Sequence, residues 1–171
     1  MLIASRDNSF ISESAVMLGA LHIFWQCLNE GIVIRGGLSY GETVIDLDKN
    51  IVFGQPIIDA YELEQKQAWF GIIKDLNWII RDSKDAASLS EEQVKTWKPI
   101  FLNYDVPMKS GASEKYEAIN WPLFLHSAKS IKTHLRPFMN KGNPKLEKYY
   151  QNTLDFAMHS FTKAKNNYRD A

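Results

Sequence analysis

Only one cysteine, Cys27, occurs in 171 residues. No internal disulfide can form, and the chain fits a reducing cytoplasm. Net charge is also lacking, because 20 Lys and Arg balance 20 Asp and Glu. That excludes a globally basic nucleic-acid binder. No long apolar run is present. The longest, Ala15 to Leu28, contains His22 and Gln26 and is too short to span a bilayer. Asp7 and Glu13 precede it and do not suit a secretory signal. Metal-ligand spacing is missing among His22, His126, His134, His159 and Cys27. No repeat or low-complexity segment is evident.

Several partial motifs fail at a decisive position. Gly36-Gly37-x-x-x-Gly41 is not followed by Lys-Ser/Thr, so it is not a phosphate-binding P-loop. Asp46-x-Asp48-x-Asn50 opens like a calcium loop, yet Ile51 stands where Gly is needed and Ile57 where Glu is needed. A polar hairpin turn is the better reading. Cys27 on an apolar helix reads as a small core residue. Asp59, Glu62 and Glu64 read as a solvated helix face. Trp69, Trp78, Trp97 and Trp121 suit core packing better than base stacking.

What is present is the composition of one soluble domain, 45% apolar and 23% charged. Charge is uneven along it. Residues 1–128 hold 11 Lys and Arg against 17 Asp and Glu, and residues 129–171 hold 9 against 3. A basic C-terminal part lying near an acidic body is the simpler account; a docking surface for an acidic partner is the sharper one.

Ser12 or Ser14 is expected to cap a first helix, with Met17, Ala20, Phe24 and Leu28 toward the core and Gly31 at its left-handed end. Ile32-Val33-Ile34, apolar on both faces, predicts a buried central strand that continues to Ile45. The Asp46–Asn50 turn should return it as Ile51 to Phe53. Pro56 opens a helix whose buried side is expected at Ile57, Tyr61 and Ala68. Trp69 to Lys74 reads as a further strand. Leu76 to Ile80 and Ser88 to Trp97 read as helical. Ile100 to Val106 and Tyr116 to Trp121 read as strands joined near Ser110-Gly111. Leu123 to Leu135 is expected to be helical. Leu146 to Lys163 is expected to be a long amphipathic helix with Tyr150, Leu154, Met158 and Phe161 on one stripe. The class is α+β.

Gly31 to Glu42 (GIVIRGGLSYGE), Phe53-Gly54-Gln55 and Ala60 to Glu64 (AYELE) together resemble the central part of a class III nucleotidyl cyclase domain. In that family a strand of the form R-x-G-I-x-x-G is followed by a hairpin, and then a glycine opens a helix at the dimer interface. Phe70 to Ile73, Val106 to Gly111 and Ala118 to Trp121 extend the resemblance. It implies a ferredoxin-like antiparallel sheet with packed helices. Residues 1–121 would form the sheet-and-helix core, with the first strand absent, and 122–171 a helical extension of the same single domain. The positions that would carry the family's motif are Arg35, Gly36, Gly37, Ser39, Tyr40, Gly41, Glu42, Gly54, Gln55, Ile58 and Glu62. A helix over Ile32 to Gly41, or its placement at a sheet edge, would take the cyclase-like reading with it.

The family's reaction closes a ribose 3′-hydroxyl onto the α-phosphate of a nucleoside triphosphate, with two aspartate-bound metal ions and a helical Asn and Arg. Leu2-Ile3-Ala4 resembles the segment just after the second aspartate, so Mg²⁺ or Mn²⁺ would be held only in a longer chain. The Asn and Arg places fall on Ile58 and Glu62. Ile cannot hydrogen-bond a ribose, and Glu brings the wrong charge to a triphosphate. No Arg lies between Arg35 and Arg81 to rescue the register. The expectation is a catalytically silent cyclase-like domain for nucleotide sensing or homodimerisation, in contact with neither nucleic acid nor membrane. A fragment of an active divergent cyclase and a scaffold without nucleotide are the alternatives.

Overall fold

The computed structural model describes residues 1, 3–5, 7, 9–76, 100–124, 128–136 and 142–167. Helix α1 spans Phe10–Asn29. Its cap is Ser9, not Ser12 or Ser14: the Ser9 hydroxyl accepts from the Ser12 N–H at 3.2 Å. The earlier start extends α1 to 20 residues, long and apolar enough by length and composition to cross a membrane. Here it is a core helix, burying Met17, Ala20, Phe24 and Leu28 as the spacing predicts. Gly31 follows in the left-handed region at φ 75°.

A four-stranded sheet contains β1 (Gly36–Leu38), β4 (Ile72–Lys74), β6 (Ser113–Ile119) and β5 (Phe101–Pro107), in the order β1-β4-β6-β5. The class is mixed α and β with an open sheet. The sheet is not wholly antiparallel, because β1 runs parallel to β4. The β5–β6 hairpin matches its sequence reading, with register from Phe101↔Ile119 to Pro107↔Ser113.

The central-strand expectation is corrected. Ile32 to Ile45 is not one strand, and its ordered part, β1, forms an edge of the sheet. Ile32 is 55% exposed, while Val33 and Ile34 pack against the core from outside the ladder. The apolar run therefore serves packing as irregular chain. After Leu38 the backbone leaves the sheet, and a separate two-stranded hairpin forms from β2 (Val44–Asp46) and β3 (Ile51–Phe53), paired Asp46↔Ile51. Its turn is as expected, with Asp46 Oδ1 accepting from the Lys49 N–H at 3.1 Å.

Helix α2 (Gln55–Lys66) carries Pro56 in its first turn. Its buried side is not the expected Ile57 and Tyr61. Tyr61 is exposed, and Leu63 is the buried position. Gly37 sets this phase: a Cβ there would lie 2.2 Å from the Ala60 carbonyl oxygen and 2.7 Å from Leu63 Cβ. Only a bare backbone lets α2 sit this close to β1. Buried Gln67 then ties the junction together. Its amide donates to the carbonyls of Gly36 (2.9 Å) and Leu63 (2.7 Å), and its oxygen accepts from Trp69 Nε1 (2.8 Å).

A 3₁₀ turn (Trp121–Phe124), α3 (Ala128–Leu135) and α4 (Pro144–Asn167) complete the described chain. Of the expected stripe of α4, Tyr150 is buried and Leu154, Met158 and Phe161 pack partly buried against the core, while Thr153, Phe156, Ala157 and Ser160 lie deepest with it. Phe156 meets Trp69 at 4.7 Å and Tyr104 at 5.0 Å between ring centroids. Phe24 stacks on Trp121 at 5.3 Å. Residues 67–71 run irregularly past α4, which satisfies their backbone groups. Thr153 Oγ1 accepts from the Phe70 N–H at 2.8 Å, and Asn152 donates to the Ala68 carbonyl at 2.7 Å. The C-terminal helix is thus part of the core. Apart from Leu76, which is an exposed turn residue, the helices expected over 76–80 and 88–97, with Trp78, Trp97 and His126, lie outside the described residues.

Candidate functional site

Gly41, Glu42, Gly54 and Gln55 meet at the junction where the β2–β3 hairpin leads into α2. Gly54 joins the two elements. It caps α2 at φ 152°, and a Cβ there would lie 2.7 Å from the Glu42 carbonyl oxygen. Gly41 (φ 150°) abuts Pro56 in the same junction. The hairpin is consequently held against the start of α2. Gln55 is turned along the helix, donating to Asp59 at 2.8 Å.

The chemistry exposed here is apolar. Tyr40, Val44, Ile45, Leu47, Ile51, Val52, Phe53, Ile58 and Tyr61 are all exposed, Leu47 and Tyr61 most of all. On the hairpin they alternate between its two sides, Val44, Ile51 and Phe53 on one and Ile45 and Val52 on the other. Asp46 is the one charge on the paired strands, and Lys49 Nζ neutralises it at 2.7 Å. That bond, chiefly, lowers the Asp46 pKa.

The other motif positions go elsewhere. Gly36 and Gly37 are consumed in β1 packing. Ser39 donates to Asp75 at 3.4 Å. Arg35 turns into a separate cleft, where it pairs with Glu64 Oε1 at 2.7 Å. The expectation of Glu64 on a solvated face is corrected by that ion pair. Ile58 and Glu62 are exposed on α2, and Arg35 does not join them. Among the described residues no group of three His, Cys, Asp or Glu is placed to share a metal ion. Sequence reasoning missed Lys109, Lys145 and Tyr149, which line the cleft beside Arg35. They are scattered along the chain, and no spacing signals them.

No protein-family model matches the chain, and neither a curated protein nor a solved structure matches it.

Proposed function

We propose that this chain is a cyclase-like module that pairs with a second copy of itself and turns over no nucleotide. The apolar hairpin–helix face is the observation that carries this reading. A two-stranded hairpin is marginal alone in water and gains by being covered. On the paired strands the single charge, Asp46, is paired with Lys49.

The cyclase likeness supports the proposal through the order hairpin, glycine, helix, which that family places at its dimer interface. The edge position of β1 tells against that likeness over Ile32 to Ile45, so the order hairpin, glycine, helix is what remains of it. The ferredoxin-like sheet lacking its first strand and a cytoplasmic setting belong to the proposal on the sequence resemblance and on single Cys27. Ile58 and Glu62 support the non-catalytic half.

Sedimentation at micromolar concentration tests the pairing. The native chain should sediment as a dimer, and Phe53→Asp should make it a monomer of unchanged melting temperature. A monomeric native chain, or a dimer indifferent to Phe53→Asp and Ile58→Asp, would refute the reading. Incubation with ATP, GTP, CTP or UTP and Mg²⁺ or Mn²⁺ should give no cyclic product. Product above a boiled control, lost in Arg35→Ala, would instead favour an active divergent cyclase.

A further inference from the structure

A cleft of about 470 Å³ lies where distant segments meet, within the range of small-molecule sites. Arg35 comes from the chain before β1, Lys109 from the β5–β6 turn and Lys145 from the first turn of α4. Glu64 of α2 is the single carboxylate of the lining. Three cations against one carboxylate leave an excess of two positive charges in a chain that has no net charge.

The groups are not equivalent. Arg35 is already committed: besides Glu64 it donates to the Gln67 carbonyl at 3.2 Å and lies 5.7 Å from the centroid of the Tyr149 ring. Lys109 and Lys145 form no salt bridge among the described residues. Partial desolvation of its exposed side chain, then the charge of Arg35, lowers the Lys109 pKa; Glu64 opposes this and Lys145 adds to it. The surroundings thus disfavour the Lys109 cation, and an anion between these side chains would reverse that. Asn143 Oδ1 accepts from the N–H groups of Lys145 (3.1 Å) and Leu146 (3.4 Å). Helix α4 therefore offers its dipole there and not those two donors. The remaining wall is apolar and aromatic, with Phe70, Leu146 and Tyr149. Tyr149 is 7% exposed, and its hydroxyl is buried without a hydrogen-bond partner among the described residues.

We infer that this cleft binds a phosphate monoester on an aromatic body, the chemistry of a nucleoside monophosphate. The dianion matches the excess charge and sits between Lys109 and Lys145. The body lies along Phe70 and Leu146. The site is separate from the hairpin–helix face, and it stands whether or not two copies pair.

Calorimetry on the full chain tests it, with adenosine and guanosine 5′-monophosphate, adenosine and inorganic phosphate as probes. The monophosphates should bind saturably and more weakly as salt rises. Lys109→Gln should weaken them roughly tenfold, as loss of a charge-assisted contact requires. Glu64→Gln should tighten them, because it removes a competing carboxylate. Lys163→Gln, on α4 but outside the lining, should change nothing. The absence of saturable binding overturns the inference, as does equal affinity in Lys109→Gln. So does phosphate or adenosine alone binding as tightly as the monophosphate. Lys109 and Lys145 are exposed, so unchanged melting of the variants confirms that each still folds.

Discussion

Adding one methyl group at Gly37 should do more damage than most larger changes in this protein. An alanine Cβ would meet the Ala60 carbonyl oxygen at 2.2 Å and Leu63 Cβ at 2.7 Å. Ordinary carbon–oxygen contacts begin near about 3.3 Å, so α2 would have to retreat by about 1 Å. The atom in the way is backbone, and no rotamer change relieves it. Retreat also strains the Gln67 bonds to Gly36 and Leu63 that span the same junction. Overpacking of this kind costs about 1–3 kcal/mol. The alanine regains about 0.4–1 kcal/mol by restricting the unfolded chain. The steric effect wins, leaving a net loss of about 1.3 kcal/mol for Gly37→Ala and a larger one for Gly37→Val, although Val is the better strand former. For a chain of this size that lowers the melting temperature by about 3–5 °C. Thermal melts followed by tryptophan fluorescence and near-UV circular dichroism measure it. Gly36→Ala is the control, since its Cβ would meet only the Ile72 side chain, at 3.3 Å. If Gly37→Ala melts at or above the parent temperature, the close approach of α2 to β1 is not as described.

Three further outcomes follow from packing and charge. Thr153→Val keeps the shape but leaves the buried Phe70 N–H without its acceptor, so urea melts should show a loss of about 1–3 kcal/mol; an unchanged midpoint would mean that the N–H finds another partner. Gly19→Ala, within α1 and with nothing inside 4 Å of the added Cβ, should raise stability by about 0.5–1 kcal/mol, and a lower melting temperature would contradict the open space there. Stability should fall as pH rises past about 10, because Lys66 (through its bond to the Tyr116 hydroxyl), Tyr104 and Tyr150 (through burial) have raised pKa values and hold their protons more tightly when folded. Their contribution is intact below the ordinary values of 10.5 and 10.0 and is lost above them; Lys109, lowered, works the other way, one group against three. A urea midpoint that is flat or rising between about pH 9 and pH 11 would show that the sign is wrong.

Legibility varied with the locality of the cause. The β5–β6 hairpin and the core stripe of α1 were readable because turn residues and helical spacing act within a few positions. The Ile32–Ile34 run misled because hydrophobicity reports burial and not hydrogen-bond partners. Val33 and Ile34 are partly buried without joining the ladder, and Ile32 is exposed. The stripe expected on α4 was incomplete for a related reason. Thr153 and Ser160, polar by composition, occupy deep positions because each bonds a distant part of the fold, the Phe70 N–H and the Asn120 side chain. The hairpin–helix face was visible in outline through its glycines and its turn. The phosphate-sized cleft was not, because it is assembled from residues 35, 64, 109 and 145, whose meeting depends on the whole fold.

The bond from Thr153 to Phe70 joins residues 83 positions apart, and that separation has a consequence for synthesis. Trp69, Tyr104 and Trp121 are covered in part by Phe156, which emerges from the ribosome after all of them. A nascent chain holding every strand but not yet α4 would expose the irregular 67–71 backbone and an aromatic surface prone to the wrong contacts. Folding to completion is therefore a late event here. A ribosome-stalled chain ending near residue 140 should be captured by chaperones and cleaved by added protease, whereas one with residue 167 clear of the exit tunnel should resist both.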